Sequence, residues 1–203
     1  MIEIYLEVAA RKTFAMARTW PGWGRSAKSE QQAVDALAEY HPRYLVIAER
    51  AGHILPGPDF EIAEVVVGGG ATDFGVPSIV PNLDHEPSTI EELKRQIRLF
   101  QAGHEIFRTI AGSAPVELRK GPRGGGRDTP EIVEHVMESE RAYARQIGLK
   151  GGKAPIEGIH EAVMERCLEL AEHPQETKWP LPYFLRRATW HVVDHLWEIE
   201  DKS

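Results

Sequence analysis

Two histidines four residues apart, His191 and His195, are the side chains whose type and spacing most clearly allow chemistry in this sequence. They belong to the stretch 181–201, where apolar residues recur at helical spacing. On an α-helix, residues four apart lie on one face about one turn apart, and two imidazoles at that separation can bind one metal ion. The winding of the apolar stripe places His195 within it and His191 at its edge, so the pair is predicted to face the protein interior.

A third ligand has to come from another helix, and His135 is the candidate. It lies in a second amphipathic stretch that opens with Thr129-Pro130, where proline suits the first helical turn. Three imidazoles leave one or more positions open for water or a thiolate, which is the catalytic pattern and not the closed structural one. A divalent ion held in this way would lower the pKa of bound water or polarise a carbonyl. Zinc, nickel and iron are equally compatible with this donor set.

Glu138 lies one turn from His135 and is the candidate general base. The alternative is an exposed charge on the helix face, since an unpaired glutamate is usually solvated.

The three histidines also have an alternative interpretation, as core or interface side chains whose ring nitrogens bond to neighbours. Asp194 and Glu198 flank the pair on the last helix and are expected to hold the second ring nitrogens, as metal-bound imidazoles require. His104 and His160 are also predicted to point inward, as core histidines or pocket-lining groups.

Composition narrows the class of protein. The 203 residues are 42% hydrophobic and 27% charged, and no apolar run approaches the roughly 18 residues of a membrane span. A formal charge of -7 argues against binding nucleic acid, which needs a basic face. The start has no export-signal pattern, and Cys167 is the only cysteine. We therefore expect a cytoplasmic protein that binds neither nucleic acid nor membranes.

The first part of the chain, residues 1–75, is predicted to be a small α+β module. Strands are expected at 2–8, 13–19 and 60–67, with helices from Ser29 to Tyr40 and from Tyr44 to Glu49. The strand-strand-turn-helix order, with P-G-W followed by S-A-K-S-E-Q-Q-A-V-D-A-L, resembles the HicB-like domain over about residues 1–50. That resemblance implies a module able to recruit a protein partner.

Residues 76–87 contain three prolines, a density typical of a linker or a packed connecting segment. Residues 88–203 then carry four amphipathic helical patterns, at 88–111, 129–147, 156–172 and 181–201, of which the first opens with a capping box at Ser88 and Glu91. They predict an all-α four-helix bundle, with a Gly-rich loop at 120–127 and a short segment at 149–155 between helices.

The second part resembles the DinB-like superfamily, through E-H-V-M-E-S-E in the second helix and R-A-T-W-H-V-V-D-H in the fourth. The resemblance covers about residues 88–201 and implies that His135, His191 and His195 are a metal triad. It further implies a metal-dependent hydrolase or thiol-dependent transferase acting on a small substrate. The alternative is a non-catalytic dimeric scaffold whose HicB-like module recruits a protein.

Two tryptophans of the last helix, Trp190 and Trp197, lie on the side opposite its apolar stripe. Large aromatic side chains are rarely left in water, so this side is expected to be covered. A homodimer partner and the N-terminal module are both able to cover it, and the homodimer is the slightly favoured prediction.

Overall fold

The computed structural model describes residues 1–121, 125–149 and 158–203. The described strands are β1 (Ile2–Val8), β2 (Thr13–Ala17), β3 (Gly24–Ala27) and β4 (Phe60–Val67). The described helices are α1 (Glu30–Glu39), α2 (His41–Arg50), α3 (Gly70–Phe74), α4 (Ile90–Ser113), α5 (Thr129–Ala144), α6 (Ile159–Glu172) and α7 (Leu181–Lys202), with short 3-10 helices at Asn82–His85 and Arg145–Ile147. The architecture is α+β, as predicted: a four-stranded sheet with helices, then a mostly helical part.

The sheet has the strand order β3-β2-β1-β4. Strands β1, β2 and β3 are successive antiparallel neighbours, whereas β4 pairs in parallel with β1. A parallel neighbour requires a crossover, which α1 and α2 provide. The strand β3 was not predicted, because Gly24–Ala27 lacks apolar alternation and forms through pairing with β2.

Both faces of β1 are buried. Ile4 and Leu6 pack with the core that includes α1 and α2, while Tyr5 on the opposite face packs with Phe14 of β2 and Trp190 of α7. The largest cluster of buried side chains continues from the sheet through α1 and α2 into α4, α5 and α7. The helical part therefore packs directly on the sheet and its helices.

Helix α7 contacts α4, α5 and α6, and its side chains are buried on almost every side. Trp190 is 5% exposed and meets Phe14 edge-on at 5.6 Å, and Trp197 is 2% exposed and lies 4.8 Å from the ring of Tyr40. The N-terminal part of the same chain thus covers both tryptophans. The observation that favoured a homodimer is accounted for within one chain, and the homodimer stays an untested prediction.

The Pro-rich segment at 76–87 is a packed connection. The fully buried Glu7 accepts hydrogen bonds from Thr72 Oγ1 at 2.5 Å, from the Ser78 amide at 3.0 Å and from the Ile79 amide at 3.1 Å. Further along the segment, Asp84 pairs with Arg186 of α7, and both side chains are buried. Two buried carboxylates therefore hold this segment against the sheet and α7.

Several boundaries differ from the prediction. The capping box of α4 is formed by Thr89 and Glu92, one residue after the predicted pair at Ser88 and Glu91. Residues 122–124 of the Gly-rich loop and residues 150–157, which hold most of the 149–155 segment and the predicted start of the third helix, lie outside the described residues. No described helix combines the length and apolar character needed to cross a membrane.

Candidate metal centre

Two helices bring the three predicted histidines together. His135 lies in α5, which begins with a capping box between Asp128 and Glu131, and α5 packs against α7, where His191 and His195 lie. Asp128 also accepts a hydrogen bond from the Leu118 amide at 3.1 Å, which links the start of α5 to the preceding segment. The start of α5, the helix that carries His135, is therefore fixed to the preceding segment through Asp128.

The three imidazoles converge on one point. The Nε2 atoms of His135 and His191 are 3.2 Å apart, and one ligand nitrogen from each histidine lies within 4.8 Å of the others. Ring centroids are 4.7 Å apart for His191 and His195, and 5.0 Å apart for His135 and each of the other two. Donor atoms of a tetrahedral ion at about 2.0–2.2 Å are about 3.3–3.6 Å from one another. The donor set suits one divalent ion, and the 3.2 Å between the Nε2 atoms of His135 and His191 is close to that spacing.

The surroundings keep two of these imidazoles neutral. Burial lowers the pKa of His191 to about 2, and the neighbouring His195 and the guanidinium of Arg187 act in the same direction. Burial also lowers the pKa of His135, with Arg127 as the next cause. A metal ligand has to present an unprotonated nitrogen, so this environment favours ligation at neutral pH.

Glu198 orients the third imidazole. The Nδ1 atom of His195 donates to Glu198 Oε2 at 2.7 Å, and Lys202 Nζ donates to the other carboxylate oxygen at 2.5 Å. The hydrogen bonds from His195 and then Lys202 lower the pKa of Glu198 to about 2. With Nδ1 engaged, Nε2 of His195 is the nitrogen left for an ion.

The prediction that Asp194 also holds a ring nitrogen of the histidine pair is wrong. The carboxylate of Asp194 accepts a hydrogen bond from Arg25 at 3.0 Å and so ties α7 to β3, whereas the ring of His195 bonds to Glu198. The sequence does not distinguish Asp194 from Glu198, because both flank the histidine pair on α7. Which of them bonds to a histidine depends on Arg25 of β3, which takes Asp194 as its partner.

The centre is open on one side. His191 is buried, whereas His135 is half-buried and lines a cleft of about 760 Å³. The other cleft-lining residues are Gly126, Arg127, Glu131, Glu134, Glu138 and Glu198. A small molecule can therefore approach from the His135 side, and exposed Glu138 stands on that wall.

Two neighbours of the centre were not singled out from the sequence. The ring of Tyr143 meets His191 edge-on at 5.7 Å, and the guanidinium of Arg187 lies 5.0 Å from the centre of the Tyr143 ring. Arg187 is 6% exposed and also lies over Trp190 at 4.9 Å. A buried arginine next to imidazoles opposes their protonation, which is consistent with the lowered pKa of His191.

No family model matches the chain, and its comparison with curated proteins and with solved structures gave no match. The geometry of the centre itself is therefore the basis on which a function can be inferred.

Proposed function

We propose that this protein is a metal-dependent enzyme, of hydrolase or thiol-transferase type, that acts on a small substrate. His135, His191 and His195 would hold a divalent ion, zinc, nickel or iron. The observation that carries the proposal is the convergence of three imidazoles from two helices beside an open cleft. Closed structural zinc sites have four protein ligands, whereas three ligands with an open side are typical of catalytic ones.

The fold proposed around the centre is a DinB-like four-helix bundle formed by α4, α5, α6 and α7 in residues 88–203. The contacts of α7 with α4, α5 and α6, and of α6 with α4 and α5, support it. Residues 1–75 are proposed as the HicB-like module and residues 76–87 as the connection between them. Trp190 of α7 packs with Tyr5 and Phe14 of the sheet, so the module would also stabilise the helix that carries two of the ligands.

The chain's own residues have separate parts in the proposed chemistry. A bound ion would act as a Lewis acid that polarises a carbonyl or makes a bound water or thiol more acidic. Glu198 holds the His195 ring in one orientation and tautomer. Glu138, exposed on the cleft wall, would accept a proton from the attacking group. The four glutamates that line the cleft favour a neutral or cationic substrate over an anionic one.

The test is metal content by mass spectrometry on protein purified without a metal-affinity column. Wild type is compared with His135→Ala and His195→Ala, and with His85→Ala as a control that removes an exposed histidine outside the centre. We expect the ion at the centre in wild type and in the control, and its loss in both centre variants. A folded wild type that takes up no ion after incubation with zinc, nickel and iron(II) would instead support the non-catalytic scaffold.

A further inference from the structure

A second group of buried polar side chains lies where α4, α5 and α6 meet. His104 comes from α4, Glu140 from α5 and His160 from α6, so none of them belongs to the first centre. His104 is 5% exposed and Glu140 is 4% exposed. One ligand atom from each of the three residues lies within 4.8 Å of the others. Sequence reasoning expected His104 and His160 to point inward, and it did not single out Glu140.

The hydrogen bonds within this group are incomplete. His160 Nδ1 donates to Glu140 Oε1 at 2.8 Å, but His104 Nε2 lies 3.6 Å from the same oxygen and has no hydrogen-bond partner among the described residues. If His104 Nε2 carries a proton, it is too far from Glu140 Oε1 to donate a good hydrogen bond. If Nε2 carries no proton, its lone pair faces an oxygen that is itself an acceptor, and no hydrogen bond forms. Either state leaves a buried polar atom unsatisfied, which costs free energy.

The described residues around His104 offer its Nε2 atom no other hydrogen-bond partner. The ring of Phe100 packs edge-on against His104 at 4.7 Å and lies 5.4 Å from His160, and Phe184 packs behind Phe100 at 6.1 Å. The two imidazoles face each other with centroids 4.1 Å apart and an angle of 34° between their planes. Burial, then His160 and Arg108, lowers the pKa of His104 well below its usual range.

We propose that His104, Glu140 and His160 form a second, buried site for a divalent transition-metal ion. Two imidazoles and one carboxylate are a donor set used by zinc and by iron(II). The separation of 3.6 Å between His104 Nε2 and Glu140 Oε1 matches donor atoms of a tetrahedral ion, which are about 3.3–3.6 Å apart. His160 Nδ1 and Glu140 Oε1, at 2.8 Å, are closer than that because they are hydrogen-bonded, and an ion would replace this hydrogen bond. An ion there would give His104 its missing partner and balance the buried charge of Glu140.

The burial of this site gives it a different role from the first centre. Ligands from α4, α5 and α6 would join three helices through one ion, and the phenylalanines around it leave little room for a substrate. Structural zinc sites usually have four protein ligands, but burial closes this three-ligand site to substrate, so its ion would be structural. Such an ion would stabilise the helical part by binding only to the folded state. This inference does not depend on the proposed enzymatic function.

The site is tested in the full chain with cobalt(II), whose visible absorption reports the ligands. A His191→Ala, His195→Ala double variant removes the first centre, and we expect it to retain about one cobalt per chain, as structural sites bind tightly. Adding Glu140→Gln, which keeps the side-chain size, should abolish the remaining absorption. The matched control adds Glu161→Gln, an exposed glutamate beside His160 in α6, and should leave it unchanged.

Folding is checked by circular dichroism, and His160→Gln serves as the second ligand variant if Glu140→Gln does not fold. Anomalous diffraction from zinc-loaded wild-type crystals gives an independent answer. A peak between His104, Glu140 and His160 supports the inference, and a peak at the first centre alone overturns it. A peak at this site alone supports the structural ion and contradicts the proposed function, so the two ideas fail separately.

Discussion

His195 and Glu198 are joined by a hydrogen bond of 2.7 Å from the imidazole Nδ1 to a carboxylate oxygen. The two residues are three apart on α7, and Lys202, four residues further on, holds the second oxygen of the same carboxylate. This chain of contacts along one helix face turns the free nitrogen of His195 toward His135 and His191. The orientation of one ligand thus depends on residues of its own helix.

Replacing Glu198 should weaken metal binding at the first centre without removing a ligand. We expect Glu198→Ala to lower zinc affinity about 10–100-fold, because residues that orient metal-bound histidines typically contribute that much. Competition with a chromophoric chelator measures the affinity. The control is Glu200→Ala on the same helix, which loses an ion pair with Arg43 but no contact with a histidine. Equal affinities for both variants would contradict the orienting role.

The buried pair between Asp84 and Arg186 should be the most sensitive ion pair in the connection to α7. Asp84→Ala leaves the guanidinium of Arg186 buried and uncompensated, and removing one partner of such a pair costs about 3–5 kcal/mol of unfolding free energy. Urea denaturation measures it. Glu86→Ala breaks the partly exposed pair with Arg18 and should cost at most about 1 kcal/mol. A similar loss of unfolding free energy in Asp84→Ala and Glu86→Ala would show that burial does not determine how much an ion pair contributes.

The turn at Gly22 should tolerate no side chain, because it is pressed against α7. Its φ is +93°, and a Cβ would lie 2.8 Å from Thr189 Cγ2 and 3.1 Å from Val193 Cγ2. Gly52 has a φ of +75° with no atom within 4 Å of the corresponding Cβ. Both alanine variants carry a backbone penalty of about 1–2 kcal/mol, because both glycines have a positive φ. We expect Gly22→Ala to lose more stability than Gly52→Ala, and the difference measures the clash with α7. Thermal unfolding of the two proteins makes the comparison, and equal melting temperatures would contradict close packing.

The cap of α4 should give a pH-dependent contribution to stability. Hydrogen bonds from the Thr89 amide and hydroxyl lower the pKa of Glu92, so the ionised form is favoured in the folded state. Its stabilisation is present above the unfolded pKa of about 4.3 and is lost as the pH falls through the lower folded pKa. The stability difference between wild type and Glu92→Gln should therefore be largest near neutral pH and should shrink in acid.

Urea denaturation at several pH values measures this difference. The control is Glu91→Gln, an exposed neighbour in the same helical turn. A stability difference for Glu92→Gln that stays constant from pH 7 to acid would rule out the ionised cap.

Local patterns were enough to predict most elements of this protein and the shared helix face of His191 and His195. The burial order of the two is the reverse of the prediction, because His191 is buried and His195 is half-buried. The bounds of β1 and β4 follow from runs of apolar and β-branched residues, and the extent of α7 follows from its apolar spacing. His191 and His195 share a face because helical geometry alone requires it. Such features depend on residues close together in the chain, so they can be predicted from the sequence without knowledge of the tertiary contacts.

Tertiary structure decided what these elements meet. Asp194 and Glu198 are equivalent candidates on α7, but Arg25, 169 residues before Asp194, takes the first and leaves the second for His195. The same packing covers Trp190 and Trp197 with the N-terminal part and brings Glu140 between His104 and His160. These contacts join residues far apart in the chain, and their choice depends on how whole helices and the sheet pack, which no local spacing encodes.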